Sequence, residues 1–466
     1  MMRPGGAAMT RPAIGVPSPT EILQRLVQFD TANPPGNEGP CIAWIARLLN
    51  DHGISSEILA KDPARPNLVA RLPGRGEAPP LLFYGHVDVV PADTAAWGHP
   101  PFSGAIAEGC VWGRGALDMK GGVAMMLSAL LRLHASGEPL AGDLLFMALA
   151  DEEAGGDLGA RYVVDEHPHV LRSVRHAIGE FGGFPLVIGG RTLYLVQVAE
   201  KAPCLAEVTV RGRGGHGAFI TRGEATAKAA KLLRRLERRR FPIHITEAAR
   251  RMIRAMAQAL PLPTAWGLRL LLVRGLGGLL LRLPGLGVGM LEPALRNTAT
   301  ATVIRGGDKP NVVPKGITLT LDCRRLPGVT PDRFLDELQE VIGSDAEVQL
   351  DCLGDAPADV DMTLFPTLAA ILSERTGGAA AVPLLQVGST DARHFARLGI
   401  QTYGFLPMDL PASFPFLDMV HAADERIPVR SLEFGTECML ELIRRYPGAV
   451  TASYEGRADE RLRQHP

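Results

Sequence analysis

Apolar residues recur at helical spacing over residues 20–49, first as Ile22, Leu23, Leu26 and Val27 and then as Ile42, Ile45, Leu48 and Leu49. The spacing predicts two helices parted by a turn at Asn33-Pro34-Pro35-Gly36. Strand-length apolar runs follow at 67–72 and 81–84 around the turn Pro73-Gly74-Arg75-Gly76, then at 109–113 and 143–150, with a strong helical pattern at 123–135. Each run feeds a polar loop. The first site loop carries His86 and Asp88, the next Asp118, the third Asp151-Glu152-Glu153, and a short run at 176–179 ends on Glu180. In open α/β sheets the loops past the carboxyl ends of strands are where ligands sit.

Near Ala199 the pattern changes. A strand with alternating polarity at 205–211, a glycine-flanked His216, a basic amphipathic helix at 224–240, strands at 298–305 and 316–324, a helix at 331–342 and a strand at 346–352 describe a small α+β sandwich of ferredoxin-like order. Residues 245–296 are an apolar insertion within it. After Asp355 the first pattern resumes, with a helix at 363–376, a strand at 400–405, a loop carrying His421, a last helix over about 431–446 and a charged, frayed tail. The expected architecture is an α/β domain, a mostly parallel mixed sheet flanked by helices, in two parts (1–198 and 355–466) around an inserted α+β unit (199–354).

Composition narrows the class. A chain of 466 residues holds more than one ordinary core. With 21% charged residues and a net charge of -1 it is neither a disordered chain nor a polyanion binder, so nucleic acid is not an expected partner. The six cysteines, Cys41, Cys110, Cys204, Cys323, Cys352 and Cys438, show no CxxC or disulfide-like spacing and are read as packing residues of a reducing compartment. The first twenty residues contain no apolar core of a secretory signal, and a cytoplasmic location is expected. The leucine- and glycine-rich stretch 267–291 is interrupted by Arg269, Arg274 and Arg282 and broken at Pro284, which argues against a membrane span. A buried or interface helix pair and an interfacial membrane contact both remain open for it.

Taken singly, the candidate site residues have ordinary explanations. His86 and Asp88 point to one side of an extended backbone, so the carboxylate can orient the imidazole, but a surface turn would use the same pair. Asp118 precedes a helix and could cap it. Three consecutive acids repel one another unless solvated or drawn together by a multivalent cation.

In order along the chain, the runs GHVDVVP, GRGALDMKGG, DEEAGG, GEFGG, RGRGGHGA, LDCRRLPG and VHAADE closely resemble the M20 family of dinuclear metallohydrolases, from about Thr20 to Tyr446. That family includes aminoacylase, acetylornithine deacetylase, succinyl-diaminopimelate desuccinylase and carboxypeptidase S. The resemblance implies two divalent ions, zinc by the donor types with cobalt or manganese as substitutes. His86, Asp118 and Glu180 would hold one ion and Asp118, Glu153 and His421 the other, with Asp118 as the bridge. It makes Asp88 the partner that orients His86, and Glu152 the general base acting on a hydroxide held between the ions. His216 resembles a lid histidine that completes the neighbouring subunit's site in dimeric relatives, so a homodimer through the lid is implied. Arg324 matches the arginine for a substrate carboxylate, and Asn297 and Gly388-Ser389-Thr390 are weaker candidates for the same pocket. The implied substrate is a small molecule with a free carboxylate. Glutamate at position 180 resembles aminoacylase and the two biosynthetic deacylases and points to N-acyl-amino-acid deacylation, while the long apolar insertion resembles in length carboxypeptidase S and the N-fatty-acyl-amino-acid hydrolases rather than the compact lids of the biosynthetic enzymes. A dipeptidase or carboxypeptidase of the same chemistry is the alternative, and a non-catalytic binding protein is a third reading from a different class.

Overall fold

The computed structural model describes residues 15–219, 222–273, 275–281, 291–353 and 356–464. The boundary expected at 354–355, together with Arg274 and residues 282–290 of the insertion, lies outside the described residues.

The strands Leu81–His86 and Leu144–Leu149 are buried throughout, and apolar apart from the terminal His86, as parallel strands covered on both faces must be. They pair in parallel, Phe83 opposite Phe146, and Leu81–His86 pairs in parallel with His176–Gly179 on its other side. These three strands form the middle of a nine-stranded mixed sheet. Its order runs Ser56–Leu59, Asn67–Leu72, Leu144–Leu149, Leu81–His86, His176–Gly179, Gln401–Gly404, Arg191–Glu200, Ala380–Gln386, with Phe184–Ile188 paired to Arg191–Glu200. Side-chain alternation sorts the strand Leu81–His86 between two cores. Phe83 faces the cluster built by the helices Pro19–Val27, Lys120–Ser136 and Val429–Gln464, while Leu82 and Tyr84 face the helix Ala160–Glu166 and Phe395.

A second sheet is antiparallel, in the order Thr298–Arg305, Gly316–Arg325, Ala202–Arg211, Glu347–Cys352, and the helices Ala225–Arg238 and Pro331–Ile342 pack against it. Strand, helix, two strands, helix, strand in this order is the ferredoxin-like arrangement expected of the region.

Two expectations are corrected. Cys204 and Cys352 are joined by a disulfide, because the register of their strands sets them directly opposite, with Cα atoms 4.0 Å apart. At 148 residues' separation no sequence spacing could signal it, and with it the cysteine pattern no longer argues for a reducing compartment. Cys41, Cys110, Cys323 and Cys438 are free and buried, as packing residues are. The final helix runs Val429–Gln464, through the region expected to fray. The insertion also reaches the large sheet. Its helix Glu247–Ala259 buries Ala249, Met252, Ile253 and Met256 and packs on Ala380–Gln386, the edge strand of the large sheet. Among the described residues no helix is long and apolar enough to cross a membrane.

Candidate metal centre

Three neighbouring parallel strands deliver their loops to one place: Leu81–His86 ends on His86, Leu144–Leu149 leads to Glu152 and Glu153, and His176–Gly179 leads to Glu180. Asp118 arrives on the loop before the helix Lys120–Ser136 and His421 on the loop after the short helix Phe416–Met419. Asp118 does not cap that helix; Met119 occupies the cap position without a side-chain bond. Its two oxygens instead face two histidines. Oδ1 lies 3.1 Å from His86 Nε2, and Oδ2 lies 3.0 Å from His421 Nε2. Glu180 Oε2 is 3.4 Å from His86 Nε2 and Glu153 Oε2 is 3.4 Å from His421 Nε2. The result is two groups of potential ligands that share one carboxylate: His86, Asp118 and Glu180, and Asp118, Glu153 and His421.

The acids of the triple Asp151-Glu152-Glu153 part company. Asp151, with φ of 69°, turns beneath the loop, where Arg65 pairs with it at 2.9 Å and Asn33 Nδ2 and the Leu158 N–H donate to it. Glu153 faces His421. Glu152 is almost buried, its Oε1 3.7 Å from Arg393. Asp88 accepts the N–H groups of both Glu152 and Glu153, each at 3.1 Å, and the amide of Asn33 at 2.9 Å. His86 Nδ1 lies 2.9 Å from the Asp88 carbonyl oxygen and 3.6 Å from its carboxylate, so backbone and side chain of Asp88 together set the ring.

Glu425 was the residue sequence reasoning passed over. Fully buried, it accepts from the N–H groups of Gly115, Leu117 and Asp118 and pairs with Arg114 at 2.8 Å. Arg114 in turn donates to the carbonyls of His421 and Ala422. One buried ion pair thus ties the loop presenting Asp118 to the loop presenting His421. The signal was present, since Arg114 is the second residue of GRGALDMKGG and Glu425 closes VHAADE.

The expected substrate residues are dispersed. Ser389 and Thr390 gather around buried Glu200: the Thr390 N–H and Oγ1 donate to it at 3.0 and 2.7 Å, and Ser389 Oγ lies 3.5 Å away. Arg393 donates to Ser389 and to the Thr390 carbonyl, so this loop, with Gly388 at its start, supports the guanidinium beside Glu152. Asn297 is spent inside the small unit, donating to Glu337 and accepting from the Leu326 N–H, and is not placed to meet a ligand. Arg324 is half-buried and pairs with Asp322 at 2.9 Å. His216 is exposed on a two-residue strand paired with Val312–Val313, and its Nδ1 accepts from the Ala218 N–H. Among the described residues it has no contact with the metal centre of its own chain.

A mixed sheet whose parallel strands lead into two potential ligand groups with a common carboxylate defines a candidate site for two cations. Peptidase family M20/M25/M40 matches residues 82–445, and the chain belongs to it, a family of hydrolases of peptide and amide bonds. A probable carboxypeptidase S-like protein 2 of Dictyostelium discoideum is 27% identical over 76% of this chain and 69% of its own length. The N-fatty-acyl-amino acid synthase/hydrolase PM20D1 of Xenopus tropicalis is 28% identical over 78% of this chain and 72% of its own. A succinyl-diaminopimelate desuccinylase of Methylorubrum extorquens is 34% identical, but only over 44% of this chain and 53% of its own. The fold is that of an M20 metallo-carboxypeptidase, Sso-CP2 of Sulfolobus solfataricus, with a TM-score of 0.70 at 17% identity, covering 92% of this chain and 99% of that one.

The residues fit a pair of cations. Glu153 Oε1 is buried without a hydrogen-bond partner. Burial pushes the Glu180 carboxyl up to about 8, against the pull of His86, and pushes Glu152 well above the usual carboxylate range, with Glu180 adding to the rise. Hydrogen bonds to Asp118 and Glu153 push His421 up to about 10. Carboxyls driven toward neutrality beside imidazoles driven toward charge are what a crowded acidic site does when only protons balance it. Divalent ions balance it without protons.

Proposed function

We propose that this protein is an N-acyl-amino-acid amidohydrolase, carried by one observation: Glu152 lies buried beside two ligand groups that share Asp118. His86, Asp118 and Glu180 would hold one divalent ion and Asp118, Glu153 and His421 the second, with zinc best suited to nitrogen and oxygen donors of this kind. Such a pair supplies Lewis-acid polarisation of the scissile carbonyl and lowers the pKa of water. Glu152 takes the proton of the attacking water and returns it to the departing amine nitrogen, one carboxylate serving as base and then acid. Asp88 fixes the backbone of Glu152 and Glu153 through their N–H groups, and Arg393 lies 3.7 Å from the Glu152 carboxylate, near enough to hold its charge.

Arg324 exchanges Asp322 for the free carboxylate of the substrate, to which its planar fork is matched. His216, turned outward from its own chain, serves the site of a second copy by binding the oxyanion, which makes the working form a homodimer through the small unit. The acyl reading over the peptidase one is supported by glutamate at position 180 and by similarity over most of the chain to an N-fatty-acyl-amino acid hydrolase. The carboxypeptidase S-like relative favours the second reading, peptide cleavage.

The test compares wild type with Glu152→Gln for metal content and for hydrolysis of N-acetyl amino acids, long-chain N-acyl amino acids and dipeptides. The expected outcome is two metals per chain in both proteins, a loss of about 10²–10⁴-fold in rate in the variant, and N-acyl substrates preferred. Dipeptides preferred would select the peptidase reading, and a metal-free, inactive wild type would leave a binding protein.

A further inference from the structure

Between Glu247 and Glu292 the chain contains no aspartate or glutamate, and it carries six arginines: 250, 251, 254, 269, 274 and 282. Within this stretch the helix Thr264–Leu271 is two-sided. Ala265, Leu268 and Leu271 are buried and the helix packs on Glu247–Ala259, whereas Trp266 (63% exposed), Leu270 (40%) and Arg269 face outward. Leu262 (66%), just before the helix, and Val273 and Leu276, just after it, extend the exposed apolar strip at both ends. Five of the exposed large apolar residues fall within these fifteen residues; a smaller group, Val303, Ile304 and Val312, lies on the small unit, and the rest are scattered. Trp266 is also the most exposed of the four tryptophans, Trp112 being buried and Trp44 and Trp97 half-buried.

We propose that this face docks on an anionic phospholipid surface. Tryptophan and leucines set among arginines, with no acid in the sequence around them, match the polar–apolar boundary of a bilayer carrying negative headgroups. Charge decides among occupants. A symmetric contact between two copies of this chain would bring the Arg269 side chains of both copies to one seam with no carboxylate of the helix between them, whereas Arg250 and Arg251 are already paired with Glu247 and add no free charge. Arg254 and Arg269 are exposed and make no ion pair among the described residues, so their charge is directed outward. The helix is too short to span, so the contact is peripheral: the apolar strip enters the headgroup boundary and the arginines meet the phosphates.

This inference stands apart from the hydrolase reading, and its test needs no substrate. The full chain is mixed with vesicles of phosphatidylcholine alone, or of phosphatidylcholine with phosphatidylglycerol, and co-sedimentation and tryptophan emission are followed. Wild type should sediment with the anionic vesicles only, be released by high salt, and show a blue-shifted emission that Trp266→Phe abolishes while binding persists. Trp266→Ser with Leu270→Ser should lower the bound fraction by about tenfold or more. Because both side chains are exposed, circular dichroism and the thermal midpoint should not change. Failure to sediment, equal binding to neutral vesicles, or unaltered binding by the double variant would overturn the proposal. So would a wild-type dimer that the double variant converts to monomer, which would assign the face to a second copy.

Discussion

Asp151, Glu152 and Glu153 are adjacent in the chain and face three different partners: Arg65, Arg393 and His421. Sequence reasoning could see that three consecutive acids need compensation; it could not apportion them, because the left-handed turn at Asp151 and the buried Arg65 that receives it come from elsewhere in the fold. Glu425 makes the same point from the other side, a residue within a recognised run whose task is to hold the loop of Asp118. Glu425→Ala would strand Arg114 in the interior and free that loop, and metal affinity should fall by about 10–100-fold, as losses of such supporting partners do. Equilibrium dialysis against a metal buffer, with the thermal midpoint of the metal-free protein measured beside it, checks this. Affinity should also depend on pH. Proton and metal compete for the same lone pair of His421, whose pKa in the metal-free site is raised to about 10, so below that value binding must expel a proton. Apparent affinity should then rise by about tenfold per pH unit across neutrality, with a shallower slope in His421→Ala. A pH-independent affinity in wild type would contradict the ligand assignment.

At the scale of elements, the helix Lys120–Ser136 shows why glycines cluster in GRGALDMKGG. A Cβ on Gly121 would lie 2.2 Å from the carbonyl oxygen of Ala116, and one on Gly122 would lie 2.7 Å from Leu406. The helix start is thus pressed against the loop that carries Asp118 and against the chain leaving Gln401–Gly404. Gly121→Ala must push backbone, not a pliable side chain. It should cost about 1–3 kcal/mol of stability and weaken metal binding as well, measured by chemical denaturation and by dialysis. A merely local packing defect would lower stability and leave metal affinity intact. The elements themselves were largely legible. Helices and strands with unbroken periodicity, such as Thr298–Arg305 and Pro331–Ile342, fall where the pattern predicts them. The final helix was cut short because its later residues lack the apolar stripe on which periodicity depends, although their alanine, glutamate and arginine are good helix formers.

At the scale of the molecule, the outward-facing His216 and the single-chain metal centre are complementary halves if the site is completed by a neighbour. His216→Ala and Glu152→Gln should each be nearly inactive alone, and mixing the two after gentle dissociation should restore part of the activity, since some hybrid dimers then hold one site with both residues intact. Activity that stays absent on mixing, in a preparation shown to have exchanged subunits, would confine His216 to its own chain. The insertion illustrates what periodicity leaves undecided. Its helices were recognisable as apolar, but its docking on the edge strand Ala380–Gln386 joins segments more than a hundred residues apart.

The sequence by itself determined the elements, the mixed α/β class with a ferredoxin-like insert, and the identity of the residues gathered at the metal centre, because local periodicity and short ordered runs carry that information in neighbouring positions. Tertiary structure alone decided which oxygen of Asp118 faces which histidine, which acid of three is neutralised by Arg65, that Asn297 is spent in a core, that Cys204 meets Cys352, and which side of an apolar helix is left to solvent. Each of these depends on the register and packing of segments remote in the chain, and pairings of that kind leave no periodic trace along it.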